Sequence, residues 1–276
     1  MIRVGTRGSA LALAQATWVG ERLGSGYELV TINAAGPVSD KSRWVSELER
    51  ALLADEIDVA VHSAKDVPAE LADGLSLVAI PAREDPRDAI CGAPSLAALP
   101  VGARVGTSSL RRAAQVRAAR PDLTVVELRG NVDTRLRKLA AGECDALVLA
   151  VAGLERLGRS DAIDGVLSEF VPAAGQGALA LEARPGWLAV DALVDPDATA
   201  CVMAERELTR ALGASCNTPV GAHARVVDRG ELELVSWVGR ADGSAWILDR
   251  VRGSADRLGA LVADRLLTAG AAELLS

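Results

Sequence analysis

Aromatic side chains are scarce: five Trp, one Tyr and one Phe make up 3% of the 276 residues. The core must therefore be built from Ala, Leu, Val and Ile. So few rings also leave little on which to stack bases, which together with a net charge of -7 argues against a nucleic-acid binder. Two histidines, His62 and His223, are too few for a typical His-based metal site, so no metal is expected. Cys91, Cys144, Cys201 and Cys216 lie far apart with no C-x-x-C, the usage of a reduced cytoplasmic protein without a structural metal. Apolar runs such as 146–152 have strand length and fall far short of a membrane span. Residues 1–7 carry no signal-peptide pattern, and no membrane partner is expected. No low-complexity run and no internal repeat is evident.

Apolar residues make up 50% and charged residues 24%, a globular balance, and the length allows more than one domain. Apolar runs at 57–62, 75–80, 124–128 and 146–151 read as buried strands. Segments 11–23, 44–54, 110–119 and 133–141 read as helices, with Gly142 where a C-cap belongs. This alternation predicts an α/β architecture. After Asp197 the pattern changes to a helix at 202–212, strands at 231–239 and 245–251, and a closing helix at 255–269, which suggests a separate α+β domain.

Charge is unevenly spread. Between 101 and 140 nine basic residues stand against three acidic ones, a local +6 inside an anionic chain. Such a cluster suggests a small-anion site. Gly106-Thr107-Ser108-Ser109 opens a helix, where hydroxyls cap free N–H groups and anions bind. Arg111 and Arg112 follow in the first turn, where the helix dipole disfavours cations, so the placement calls for an anion. Arg117 and Arg120, further along, read as solvated or structural. In His62-Ser63-Ala64-Lys65-Asp66-Val67-Pro68 a Lys–Asp pair ends a strand. A surface salt bridge is the ordinary reading of such a pair. Asp66 matters if its carboxylate faces a cationic intermediate. Cys216 sits among turn-forming and polar neighbours in Gly213-Ala214-Ser215-Cys216-Asn217-Thr218-Pro219, where a thiol can serve as a covalent attachment point.

These motifs resemble the porphobilinogen deaminase (hydroxymethylbilane synthase) family. The resemblance runs in order through Arg3-Val4-Gly5-Thr6-Arg7-Gly8-Ser9, the Asp66 and Cys216 segments, Arg83-Glu84-Asp85-Pro86-Arg87-Asp88-Ala89, Gly106 to Arg112, Arg129-Gly130-Asn131 and Gly175-Gln176-Gly177. It implies three domains: 1–82 with 172–195, 83–171, and 196–276. The first two would be like periplasmic binding proteins with a cleft between them, the third a smaller α+β domain. It implies a dipyrromethane cofactor joined by a thioether to Cys216. Four porphobilinogen molecules would be condensed head to tail with loss of ammonia, and hydroxymethylbilane released by hydrolysis. By the family's pattern Asp66 is the catalytic carboxylate. Lys65, Asp66, Thr107, Ser108, Ser109, Arg111, Arg112 and Gly130 would hold the cofactor. Arg7, Ser9, Ser63, Arg129, Arg135 and Arg156 would hold porphobilinogen or the growing oligopyrrole. The protein would be a cytoplasmic monomer. The departure lies at 33–44, a short lid lacking the family's T-x-G-D segment, with Lys41 kept and Trp44 for the aromatic. An alternative is a family-derived protein with an altered lid that binds small anionic ligands or pyrroles but elongates poorly or not at all.

Overall fold

The computed structural model describes residues 1–24, 26–33, 41–187, 191–215, 217–228 and 230–275, with the side chains of 41–44 outside that description. Strands β1 (Ile2–Arg7), β2 (Tyr27–Ile32), β3 (Val59–Ser63) and β4 (Ser76–Ala79) belong to a first lobe. The chain then crosses to β5 (Asp88–Cys91), β6 (Arg104–Thr107), β7 (Thr124–Glu127), β8 (Ala146–Ala150) and β9 (Gly165–Leu167) of a second lobe. It returns as β10 (Leu179–Ala183). The first sheet has the order β2-β1-β3-β10-β4 and the second β7-β6-β8-β5-β9. In each, the first three strands are parallel and the fourth runs antiparallel to both its neighbours. The fourth strand of each sheet is the first one laid down after a crossing.

The helices that cover the lobes are α1 (Ala10–Arg22), α2 (Lys41–Leu53), α3 (Leu110–Ala119), α4 (Val132–Ala140) and α5 (Val151–Arg156). Helix α6 (Pro196–Ala211) leads into a third sheet, β11 (Val220–Asp228), β12 (Glu231–Gly239) and β13 (Trp246–Ser254), followed by α7 (Leu258–Thr268) and α8 (Ala271–Leu275). That antiparallel sheet packs Ala222, Leu234 and Val238 against Leu208 of α6 and Val262 and Leu266 of α7. Its opposite face seats Trp237 against Ala114 of α3 and Val171 of the returning segment. Among the described residues no helix is long and apolar enough to cross a membrane.

The α/β alternation and the α+β C-terminal part are as the sequence predicts. The expectation of no internal repeat is overturned. β1 and β6 both contain Arg-Val-Gly-Thr, and each runs to a Ser N-cap, Ser9 or Ser109, with a buried Gln six residues on, Gln15 or Gln115. The Arg of each shared tetrapeptide clasps the Asp that precedes the third strand of its sheet: Arg3 Nη2 to Asp58 Oδ1 at 2.6 Å, and Arg104 Nη2 to Asp145 Oδ1 at 2.9 Å. The turn before each Asp holds a left-handed residue, Asp55 (φ 56°) and Gly142 (φ 74°). A one-residue deletion after the shared tetrapeptide and divergence elsewhere hide the repeat in the sequence.

Candidate active site

The polar ends of the strands face the cleft, as is usual in open α/β sheets. In the first lobe one small cavity is lined by Arg7, Ser9, Gln15, His62, Ser63 and Asp66. Ser9 caps α1 by accepting from Ala12 N at 3.3 Å, and Gln15 Nε2 donates to Ser63 Oγ at 3.0 Å. Asp66 closes a 3-10 turn (Ala64–Asp66) that follows β3, and its Oδ2 lies 3.9 Å from Arg7 Nη1. Behind the cavity His62 Nε2 lies 2.9 Å from Glu182 Oε2, a pair in which both side chains are buried.

In the second lobe Ser109 caps α3, accepting from Arg112 N at 3.4 Å, and Thr107 Oγ1 accepts from Ser109 N at 3.2 Å. Arg135 Nη2 donates to Ser108 Oγ at 3.0 Å. Gly130 has φ 128°, and a Cβ there would lie 2.8 Å from Thr134 Cγ2. The anion that Arg111 and Arg112 call for is supplied by the chain itself. Arg111 Nη1 donates to Asp88 Oδ2 at 2.7 Å and to Val171 O at 2.9 Å, and Arg112 Nε donates to Asp88 Oδ1 at 2.9 Å. Both arginines are buried, and a fully buried carboxylate neutralises one of the two charges. Burial pushes the Asp88 pKa up, and the two guanidinium groups outweigh it, holding it well below the usual carboxylate range.

Gln176 joins the two lobes. Its Nε2 donates to Pro86 O at 2.7 Å and Asp88 Oδ1 at 2.8 Å; its Oε1 accepts from Lys65 Nζ at 3.1 Å and Arg112 Nη2 at 3.2 Å. Gly175 and Gly177 on either side need positive φ (72° and 87°). A Cβ on Gly177 would lie 2.4 Å from Glu84 O, so the returning chain threads against the outgoing one. Arg156 is drawn into this crossing by Glu84 Oε2 at 2.7 Å and Gly177 O at 2.7 Å.

The structure thus brings together Arg7, Ser9, Ser63 and Asp66 in one cavity, and Lys65, Arg111 and Arg112 around Asp88 and Gln176. Ser108 with Arg135 stands on the opposite wall, close enough that the Asp66 charge acts on Arg135. Burial, more than the neighbouring Arg112 charge, lowers the Arg135 pKa. Arg129 stands apart, exposed and paired with Glu127 at 2.6 Å. Arg117 donates to Ala241 O at 2.7 Å and Arg120 to Leu96 O at 2.6 Å, both structural contacts. Cys216 lies outside the described residues, as do the side chains of Lys41 and Trp44 and most of the lid at 33–44. Cys91, Cys144 and Cys201 are buried, and burial pushes the Cys91 thiol up to about 12 and the Cys201 thiol up to about 11. Sequence reasoning gave no role to Asp88, Gln176 or Glu182. The one signal for Asp88 was a carboxylate beginning an apolar run, 88–91, directly after a charge-dense segment.

A two-lobed α/β fold that gathers arginines, hydroxyls and one carboxylate at its strand ends belongs to the class of ligand-binding α/β proteins and is suited to a ligand rich in carboxylates. Arg135 Nε, buried with no hydrogen-bond partner among the described residues, is a donor suited to such a ligand. Residues 2–191 match the family model "Porphobilinogen deaminase, dipyromethane cofactor binding domain", and 199–268 match "Porphobilinogen deaminase, C-terminal domain". The chain is 46% identical over 299 residues to the porphobilinogen deaminase of Thiobacillus denitrificans, covering 99% of this chain and 97% of that protein. It is 46% identical over 302 residues to that of Deinococcus radiodurans, with the same coverage. Among solved structures it is similar to the periplasmic VFT2 domain of Bordetella pertussis BvgS, at 19% identity and a TM-score of 0.40 over 67% of this chain and 81% of that one. The chain belongs to the porphobilinogen deaminase family.

Proposed function

We propose that this chain is the transferase of tetrapyrrole synthesis that condenses four porphobilinogen molecules head to tail, losing ammonia each time, and releases hydroxymethylbilane by hydrolysis. The observation that carries this reading is Asp66. It is a carboxylate at the end of a buried strand, with Arg7 3.9 Å away on its own lobe and Arg135 within electrostatic reach across the cleft. Cations on both walls suit the acetate and propionate arms of the substrate. A single carboxylate held among them suits the positive charge that develops as ammonia departs.

The dipyrromethane cofactor, when bound, supplies the pyrrole to which the first porphobilinogen is joined. Cys216 is the residue proposed to hold it. The other three thiols are buried, which keeps them protonated and unreactive, and this supports the assignment. Lys65, Thr107, Ser108, Ser109, Arg111, Arg112 and the backbone at Gly130 orient the cofactor's carboxylates. The net charge of Arg111, Arg112 and Asp88 together leaves one positive charge for that task. Arg7, Ser9, Ser63, Arg129, Arg135 and Arg156 hold the substrate and growing chain, and Lys41 and Trp44 belong to the cover. The partition of strands among three sheets supports three domains, 1–82 with 172–195, 83–171 and 196–276. The proposed protein is a cytoplasmic monomer without a membrane partner, and its net charge of -7 supports the absence of a nucleic-acid partner.

The test is the intact mass of the purified chain. Two pyrrole units should be present on the unsubstituted protein and missing from Cys216→Ser, which should also lose turnover. A polypeptide mass without an adduct, or an adduct that survives the substitution, contradicts the reading.

A further inference from the structure

Two neighbouring residues of α6, Glu205 and Arg206, carry charges that the chemistry above does not use. Glu205 is completely buried and accepts four hydrogen bonds from three separate segments. Arg83 of the outgoing crossing donates from Nη1 at 2.6 Å and Nη2 at 3.1 Å. Gly175 N of the returning crossing donates at 2.6 Å, and Ala224 N of β11 at 2.7 Å. Arg206 reaches the other way. Its Nη1 donates to Val67 O at 3.1 Å, and its Nη2 to Pro68 O at 2.6 Å and Ala69 O at 3.4 Å. Those carbonyls belong to the three residues that follow Asp66.

The same helix delivers Cys216, which comes five residues after its last residue, Ala211. The path between is hydrogen-bonded throughout. Leu212 N donates to Leu208 O at 3.1 Å, Gly213 N to Arg210 O at 3.0 Å and Ala214 N to Thr209 O at 2.8 Å. Thr218 Oγ1 then closes the turn by accepting from Ser215 N at 2.9 Å and donating to Ser215 O at 2.7 Å. Helix α6 is therefore pinned to the Asp66 segment by one residue and to both crossings by its neighbour. An apolar residue at 205 would leave the Arg83 guanidinium and the Gly175 and Ala224 N–H groups without their acceptor. These directional contacts fix the helix in rotation and along its axis.

We propose that Glu205 and Arg206 are a positioning pair, which sets the root of the cofactor tether at Cys216 in register with the Asp66 carboxylate. This rests on the reading of Cys216 and Asp66 given above. A tethered reactant gains its advantage from a near-attack placement, and a displacement of about 1 Å can cost roughly a hundredfold in rate. Neither residue touches the substrate. Their effect passes through the helix at one end and through the backbone after Asp66 at the other.

The test uses the full chain with Arg206→Gln, Arg206→Lys and Glu205→Gln. Three quantities are read: the rate at which porphobilinogen builds the covalent adduct, seen by intact mass; kcat and KM per adduct-bearing molecule; and the thermal midpoint. In the cooperatively folded Arg206→Gln variant, kcat per adduct-bearing molecule should fall at least tenfold. KM should stay within threefold, and adduct formation should slow. Arg206→Lys, which keeps the charge and a donor, should recover part of kcat. Should Arg206→Gln not fold, Arg206→Lys against the unsubstituted chain carries the comparison. Wild-type kcat per adduct-bearing molecule and a wild-type assembly rate, whatever the thermal midpoint, would overturn the proposal and leave the pair a structural staple. Failure of the underlying reading shows itself separately, as an unsubstituted protein without an adduct or a Cys216→Ser protein that carries one.

Discussion

The two lobes are built to one plan and have exchanged their buried charges. Aligning the third and fourth strands of the sheets places Asp88 at the position of Leu179, and Cys91 at that of Glu182. It places Leu149 at the position of His62 on the same grounds. Aligning the two N-caps sets Arg111 and Arg112 against Leu11 and Ala12. Where the second lobe buries Asp88 with two arginines, the first is apolar. Where the first buries Glu182 with His62, the second has Cys91 and Leu149. Beyond the third strand, Lys65 and Asp66 correspond to Ala152 and Gly153. One duplicated frame has thus divided its labour: the first lobe presents the carboxylate, and the second presents the helix start and its arginines. The shared parts, the Arg–Asp clasp and the Ser cap, hold the strands in place. The parts that differ include the carboxylate and the two arginines proposed above to act at the reacting carbon and on the cofactor.

The sharpest way to break this comparison is to give the second lobe the first lobe's solution. Asp88→Leu leaves Arg111 and Arg112 buried without a counter-charge, and should cost about 3–5 kcal/mol in denaturant unfolding. Adding Arg111→Leu and Arg112→Ala, the residues of the first lobe, should restore most of that stability and leave a folded protein that carries no covalent pyrrole by mass. The sign with pH follows from the depressed Asp88 pKa. Its stabilising contribution is complete above the unfolded carboxylate value of about 3.9 and is lost as pH falls below it. The triple variant should lack that part of the acid dependence. If it assembles cofactor normally, the arginines are structural only.

Next in size is the loss of the first lobe's distinctive group. Asp66→Asn keeps the shape and removes the charge, so stability should hold while kcat falls roughly a hundred- to a thousandfold. Turnover within twofold of the unsubstituted enzyme, measured as colorimetric porphobilinogen consumption, would assign Asp66 to structure. The smallest effects belong to the shared clasps. Arg3 and Arg104 hold Asp58 and Asp145 by side-chain hydrogen bonds that lower both carboxyl pKa values. Asp58→Asn and Asp145→Asn should therefore act alike: small losses of thermal midpoint near neutral pH, fading together as pH drops below about 4. A large loss from one alone would show that the two clasps are not equivalent.

Much of this was legible in the sequence. Helix α3 begins and ends where apolar spacing and the Ser109 cap placed it, because both signals are local. The segments carrying Asp66 and Arg111 were picked out by charge at strand ends. Among the strands not read from the sequence, which include β2, β9 and β11, β5 and β10 are the two laid down directly after the crossings. Each is a run of only four or five residues, and each is placed by neighbours from distant parts of the chain rather than by its own pattern. Asp88 was missed for the same reason, since nothing nearby in sequence announces that two arginines some twenty residues on will close over it. Gln176 is legible only once both crossings are seen side by side. The repeat was missed because four shared residues are too few to stand out without the matching clasps.

The crossings also set an order of assembly. All five strands of the second sheet lie between Asp88 and Leu167, an uninterrupted stretch. The first sheet cannot close until Leu179–Ala183 arrives, because that strand alone separates Val59–Ser63 from Ser76–Ala79. Until then Ser76–Ala79 has no partner in its sheet. A chain emerging from the ribosome therefore completes its middle before its beginning, and holds an unpaired apolar strand open for about a hundred residues of synthesis. Pulse-labelled hydrogen exchange during refolding should show amides of the second sheet protected before those of Ser76–Ala79. The reverse order would mean that the split strand is held by something other than its sheet.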